Sequence, residues 1–288
     1  GNNAILGTGY NHTWDFSNIE LLNIDLIDGQ GGHDTIKGSQ LNDVIAGSAG
    51  YDSLYGNAGD DIFKFEGVSN GFDTVVGGEG FDTILGSEND DDIGLFALPD
   101  TNSIEKIDGG LGVNRILGDV YDHKWDFTNV ELVNIQQING QAGHDTIIGS
   151  AGNDVIIGAE GFDNLNGGDG NDTFIVRGTG DGFDTVKGGN GFDEIQGSEL
   201  DDDIGLYALT VNSGIERIDG GLGTNRIIGY MYEHTWDFSS VELINIDEIN
   251  GYEGSDNITG SAQADTIVGG EGDDTLDGHD GDDVFLVS

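Results

Sequence analysis

The chain has 288 residues, with 55 acidic and nine basic side chains and a net charge of -46. Such an excess excludes nucleic acid and anionic membrane as simple electrostatic partners, and its self-repulsion opposes a compact state unless counter-ions bind. Cysteine is absent, so no disulfide holds the fold, no apolar run approaches the roughly 20 residues of a membrane helix, and 52 glycines against one proline point to many positive-φ turns.

The sequence opens at Gly1 without the basic and apolar regions of a signal peptide. The first element is HTWDFSNIELLNIDLIDG, His12 to Gly29. Its apolar places Trp14, Phe16, Ile19, Leu21, Leu22, Ile24 and Ile27 suit short strands separated by bends. Its β-branched and aromatic content favours strand, with a short helix after Ser17–Asn18 as the alternative. Four nine-residue units follow. Each opens with Gly, carries Asp at its sixth place (Asp34, Asp43, Asp52, Asp61) and an apolar residue at its eighth (Ile36, Ile45, Leu54, Phe63). This is neither a helical period nor strand alternation; it is the period of a solenoid of short strands and tight turns. After a three-residue slip, Asp73, Asp82 and Asp91 continue the register. The segment Ile93–Gly110 follows, whose opening IGLFAL (Ile93–Leu98) reads as a strand or a short bulging loop, and GGLGVN (Gly109–Asn114) repeats the turn with Asn in the acid place.

The whole pattern then returns. Trp14, Trp125 and Trp236 lie 111 residues apart, and His12, His123 and His234 keep the same step. The second copy carries Asp145, Asp154, Asp163 and Asp172, then Asp184, Asp193 and Asp202, and ends in the turn GGLGTN with Asn225. The third carries Asp256, Asp265, Asp274 and Asp283 and breaks off at Ser288, as expected of a piece of a longer array. The reading is therefore of repeat units 1–111 and 112–222 and a partial unit 223–288, expected to form one continuous all-β solenoid.

Two nonapeptides make a plausible circuit of two strands and two turns, so residues 18 apart stack: Asp145 over Asp163, and Asp154 over Asp172. Neighbouring strands lie about 4.8 Å apart. Carboxylates at that spacing repel unless a cation lies between them. A Ca²⁺ ion with oxygen ligands at about 2.3–2.6 Å fits the gap, and the glycines allow turn carbonyls to face the same ion. Oxygen ligands, without Cys and without His at the repeated acid place, favour calcium over zinc or copper.

The pattern G-G-x-G-x-D-x-U-x, with U an apolar residue, resembles the calcium-binding repeats of the repeats-in-toxin (RTX, hemolysin-type) family. The nearest hexapeptides are GGEGFD (Gly77–Asp82), GGDGND (Gly167–Asp172), GGNGFD (Gly188–Asp193) and GGEGDD (Gly269–Asp274). The resemblance implies a right-handed parallel β-roll. In it, turn carbonyls and the sixth-place aspartates of stacked rungs share several Ca²⁺ ions, on the order of ten here if each stacked pair holds about one. Every sixth-place Asp named above, with Gly77, Gly167, Gly188 and Gly269, is thereby a candidate ligand. The resemblance also implies one-step bacterial (type I) secretion, an unfolded state at low calcium and folding outside the cell. GSQLND (Gly38–Asp43), GSENDD (Gly86–Asp91), GSELDD (Gly197–Asp202) and GSAQAD (Gly260–Asp265) lack the fourth-place Gly and are expected either to bind more weakly or to be bent by a non-Gly residue at a strained place. Asn114 and Asn225 are expected to keep the turn without a strong ion. The HTWDF segments fall outside the resemblance.

No nucleophile elbow, phosphate loop or HExxH occurs, and the expectation is a non-enzymatic module. Five of the six histidines recur between copies, which favours structural or surface roles over a catalytic site. The tryptophans with Phe16, Phe127 and Phe238 are expected in the packing, with sugar stacking as the alternative. Tyr51, Phe81, Phe162 and Phe192 occupy fifth turn places and are more exposed candidates for a partner surface. The expected role is a secreted spacer, display or adhesin segment of a larger protein, at the cell surface or outside the cell. The rival is a polysaccharide-binding module beside an exported carbohydrate-active enzyme. A catalytic β-helix is disfavoured because the nine basic residues are scattered.

Overall fold

A computed structural model describes residues 3–99, 104–210 and 212–286. Among the described residues every regular element is a β-strand, from Ala4–Thr8 to Val284–Leu286, and no helix occurs. The helical alternative for His12–Gly29 is thereby excluded. That segment holds the strands Thr13–Asp15 and Leu26–Gln30. Between them the chain turns where Asp15 Oδ1 accepts the Ser17 N–H at 3.1 Å and the Ser17 hydroxyl at 2.6 Å, a local bond that competes with helix.

The chain divides into two compact units, Gly1–Asn139 and Gly140–Ser288. In the first, strands stack in parallel in two rows. One runs Ala4–Thr8, Leu26–Gln30, Val44–Ala46, Ile62–Lys64, Asp82–Ser87, Ile104–Gly110 and Glu131–Val133. The other runs Thr13–Asp15, Thr35–Lys37, Ser53–Ala58, Asp73–Glu79, Asp92–Ala97, Arg115–Leu117 and Gln137–Asn139. Apart from Lys124–Asp126, which lies in neither row, consecutive strands of this unit alternate between the rows, so each circuit adds one strand to each. The second unit is built likewise. Its rows include Thr146–Ile148, Asn164–Asp169, Asp184–Asn190 and Asp203–Ala208 on one side, and Val155–Ile157, Thr173–Ile175, Glu194–Gln196 and Arg217–Asp219 on the other. Each unit is a parallel β-solenoid.

The register follows the nonapeptide arithmetic. Ile36 pairs with Leu54 and Ile147 with Leu165, 18 residues apart. Across the slip the step becomes 21, with Leu54 on Val75 and Leu165 on Val186. The segment from Ile93 is the strand Asp92–Ala97, bulged between Leu95 and Ala97 where it meets the preceding rung, so both features of the expectation occur together. Asp100–Ser103 of that segment lie outside the described residues.

Eighth-place side chains point inward and form columns. Ile27, Ile45, Phe63, Ile84 and Ile107 make one; Ile156, Phe174, Ile195 and Ile218 make another, and all are buried. Each such side chain contributes about 1.5–3 kcal/mol by leaving water. Trp125 and Trp236 are 0% and 1% exposed and join the columns with Phe127 and Phe238. Sugar stacking on these two tryptophans is therefore excluded. Replacing Ile84 or Ile195 by Ala should lower the unfolding free energy by about 2–5 kcal/mol in denaturant melts at fixed calcium. Val113→Ala, at a side chain 57% exposed, should change it by less than about 0.5 kcal/mol.

Candidate metal centre

The sixth-place aspartates sit where each turn re-enters the roll. All those named from the sequence are buried except Asp274 and Asp283, which are half-buried. In ten pairs one carboxylate oxygen bonds between rungs, accepting the main-chain N–H of the sixth-place residue one rung earlier, whereas Asp91 and Asp202 accept the N–H of Gly67 and Gly178. Asp34 N–H donates to Asp52 Oδ1 at 2.6 Å, Asp43 to Asp61 at 2.7 Å, Asp52 to Asp73 at 2.9 Å and Asp61 to Asp82 at 2.8 Å. In the second unit Asp145 donates to Asp163 at 2.7 Å, Asp154 to Asp172 at 2.9 Å, Asp163 to Asp184 at 2.9 Å and Asp172 to Asp193 at 2.8 Å. Asp256 donates to Asp274, and Asp265 to Asp283. The stacking of Asp145 with Asp163 and of Asp154 with Asp172 is thus a hydrogen-bonded ladder.

The ladder extends through residues that the nonapeptide pattern does not single out. Glu105 accepts the Asp82 N–H and Glu216 the Asp193 N–H, both at 2.7 Å. Asn114 and Asn225 accept from Asp91 and Asp202, while their own Nδ2 donates to the Asn134 and Asn245 carbonyls at 3.1 Å. His12 and His234 donate their main-chain N–H to Asp34 and Asp256. The histidines thus hold the acid place of turns without Asp, five residues after Gly7, Gly118 and Gly229, a spacing present in the sequence. In His123 and His234 the ring Nδ1 faces the carbonyls of Phe96 and Tyr207 at 3.0 Å, and Nε2 accepts the main-chain N–H of Asp119 or Tyr230. These rings are structural.

The second carboxylate oxygen is the chemically open one. At Asp34, Asp52, Asp61, Asp82, Asp172, Asp193 and Asp256 the Oδ2 atom is buried and, among the described residues, has no hydrogen-bond partner. It folds back over the glycine that opens its own turn. A Cβ on Gly29, Gly47, Gly56, Gly167, Gly188 or Gly251 would overlap it, which is why the first place is glycine. A carbonyl from the next rung arrives at the same spot. The Cβ position at Gly56 lies 2.6 Å from Gly77 O, that at Gly167 lies 2.7 Å from Gly188 O, and that at Gly251 lies 2.5 Å from Gly269 O. Gly167 O stands in the same relation to Gly149. The predicted Gly77, Gly167, Gly188 and Gly269 thus each place a carbonyl beside a buried carboxylate.

Burial, followed by the neighbouring acids and against the ladder N–H, pushes the carboxyls of Asp61 and Asp172 up to about 7 and that of Asp52 to about 6. Asp73 and Asp184, buried beside Asp52 and Asp163, are raised well above the usual range. The spots at Asp61, Asp172 and Asp256 hold acceptors with no donor between them among the described residues, an arrangement that a hard cation completes. Among the described residues no three acidic or histidine side chains converge on one point. The oxygen set is instead one carboxylate with main-chain carbonyls from stacked turns, which fits calcium.

Parallel rungs with oxygen-lined turns define a calcium-binding β-roll. The chain belongs to the family described as RTX calcium-binding nonapeptide repeat (4 copies), which matches residues 23–45, 37–66, 68–94, 139–174, 178–204 and 249–285, more than half of its length. No curated protein matches the chain. The family's repeats bind several Ca²⁺ ions, so the protein is a calcium-binding structural module. Most of each HTWDF segment, residues 12–22, 123–138 and 234–248, falls outside the matched residues.

A pH dependence follows for the calcium-free protein. Asp52, Asp61 and Asp172 have folded values of about 6 to 7 against an ordinary 3.8. The folded state therefore holds more protons between those limits. Their contribution to stability is fully present below the ordinary value and is lost as pH rises through 6 to 7. In chelator, circular dichroism should show more β structure at pH 5 than at pH 8; more at pH 8 would contradict the assignment.

Proposed function

We propose that the chain is a non-catalytic, calcium-triggered folding module of a larger exported protein, acting as a spacer, display or adhesin segment outside the cell. The observation that carries this reading is the row of buried Oδ2 atoms of Asp34, Asp52, Asp61, Asp82, Asp172, Asp193 and Asp256, without donors among the described residues. Calcium would be held by Asp34, Asp52, Asp61 and Asp82, and by Asp145, Asp163, Asp172, Asp193, Asp256, Asp274 and Asp283, with the carbonyls of Gly77, Gly167, Gly188 and Gly269 and their equivalents. At a net charge of -46, the metal-free chain would be expanded in a low-calcium cytoplasm and would fold on export. Each 111-residue repeat would be one copy of this module.

A second reading, binding of a polysaccharide or cell surface, draws on exposed rings in mutual contact. In the first unit Tyr51, Phe96 and Tyr121 follow one another with centroids 6.2 and 6.4 Å apart, and all three are exposed. In the second, Phe162 and Tyr230 meet at 5.5 Å, and Tyr232 follows at 5.9 Å. Flat exposed rings suit sugar faces.

Calcium titration followed by circular dichroism checks the first reading. The chelated chain should lose most of its β signal and regain it with calcium, and each site at 100 times its Kd should add about 2.7 kcal/mol. Full β structure and an unchanged Tm without calcium would refute it. For the second reading, a glycan array should show binding that falls at least tenfold in Tyr51→Ala/Phe96→Ala with calcium present; no binding by the unaltered chain would remove it.

A further inference from the structure

The repeat turns that open with Gly and carry Asp come in two conformations, distinguished at the second place. In the turns opened by Gly29, Gly47, Gly56, Gly140, Gly158, Gly251 and Gly278, the second residue is left-handed: Gln30, Ser48, Asn57, Gln141, Ala159, Tyr252 and His279 have φ between 64° and 79°. Gly78, Gly168, Gly189 and Gly270 hold the same place with positive φ. Such a residue turns its N–H away from the turn's Asp. The N–H of Gln30, Tyr252 and His279 goes instead to the side chain two residues earlier, Asp28, Asn250 or Asp277.

Five turns differ. Ser39, Ser87, Ser150, Ser198 and Ser261 are absent from the positive-φ residues. Each donates its main-chain N–H to Oδ2 of its own Asp, at 2.6 Å to Asp43, Asp91, Asp154 and Asp202 and 2.7 Å to Asp265. Each hydroxyl also donates to that carboxylate, between 2.9 and 3.0 Å. The same hydroxyl accepts the fourth-place N–H at 3.1 Å, which fixes its rotamer. None of these five aspartates has a buried oxygen without a partner. Two donors occupy the position that a cation takes in the other turns, with their positive ends toward it. A cation there would have to displace two charge-assisted hydrogen bonds and would meet a carboxylate already satisfied.

Serine by itself is not sufficient. Ser48 is left-handed, its hydroxyl donates to Asp28 Oδ1 at 2.9 Å, and Asp52 Oδ2 stays buried without a partner among the described residues. GSAGYD (Gly47–Asp52) is therefore open and GSAGND (Gly149–Asp154) closed, although both keep the fourth-place glycine. The difference follows the second-place conformation and not that glycine.

We propose that a second-place serine that is not left-handed and closes on its own Asp substitutes for calcium, so that the turns of Asp43, Asp91, Asp154, Asp202 and Asp265 take no ion while the left-handed turns do. The rule rests on the calcium reading above. It makes part of each unit close without metal, so calcium completes a roll whose serine turns are already satisfied.

The test uses the full chain, stripped with chelator and titrated with calcium by calorimetry, with circular dichroism at saturating calcium as a folding control. Asp61→Asn and Asp172→Asn should each lose one ion or show at least a tenfold weaker site. Asp43→Asn and Asp154→Asn, whose amide oxygen can still accept both serine donors, should retain the full number. Ser39→Gly and Ser150→Gly, which free the second place to become left-handed, should each add one ion, and they decide the matter if an Asn variant fails to fold. Equal losses in both Asp→Asn pairs, or no gain in the glycine variants, would overturn the serine rule alone. No calcium bound by the unaltered chain would overturn the calcium reading and the rule together.

Discussion

The structure depends on one bond repeated along the edge of each roll: a sixth-place carboxylate oxygen accepts the main-chain N–H of the equivalent residue one rung back. It spans 2.6 to 3.1 Å across both units. Because it links one rung to the next, it fixes the stacking that aligns Ile on Ile and Phe on Ile within. It also forces acids into close columns away from water, where their ionised form is costly. The same contact that orders the roll thus creates the demand for positive charge.

The chain meets that demand in several ways at one topological place. Where Asp stands with a left-handed second residue, a carboxylate oxygen and a carbonyl are left for a cation. Where a serine that is not left-handed stands, N–H and hydroxyl take the oxygen. Where Asn114 or Asn225 stands, its own amide donates to the next-rung carbonyl. Where His123 or His234 stands, the ring bridges a carbonyl and an N–H. Position along the array sets the local chemistry while the rung geometry is kept.

Much of this was legible beforehand. The nine-residue period specified short strands and turns, the 18-residue circuit specified which aspartates stack, and the 111-residue step located the copies. The need for glycine at the first place was legible too, because a carboxylate folding back over a Cα leaves no room for Cβ. The histidine turns were missed since the acid place was sought by charge, although their five-residue spacing from Gly was on view. Glu105 and Glu216 were missed because longer side chains reach the ladder from positions outside the nonapeptide register.

The sequence by itself determined the period, the class of fold and the family, since those rest on local spacing of Gly, Asp and apolar residues. Only the tertiary structure decided which turns are open. Gly-Ser-Ala-Gly occurs in two turns and takes two conformations, because the second-place φ answers to the rung alongside: Ser48 finds Asp28 twenty residues earlier, while Ser150 closes on Asp154 within its own turn. That choice is made between stacked rungs, and a one-dimensional pattern carries no information about it.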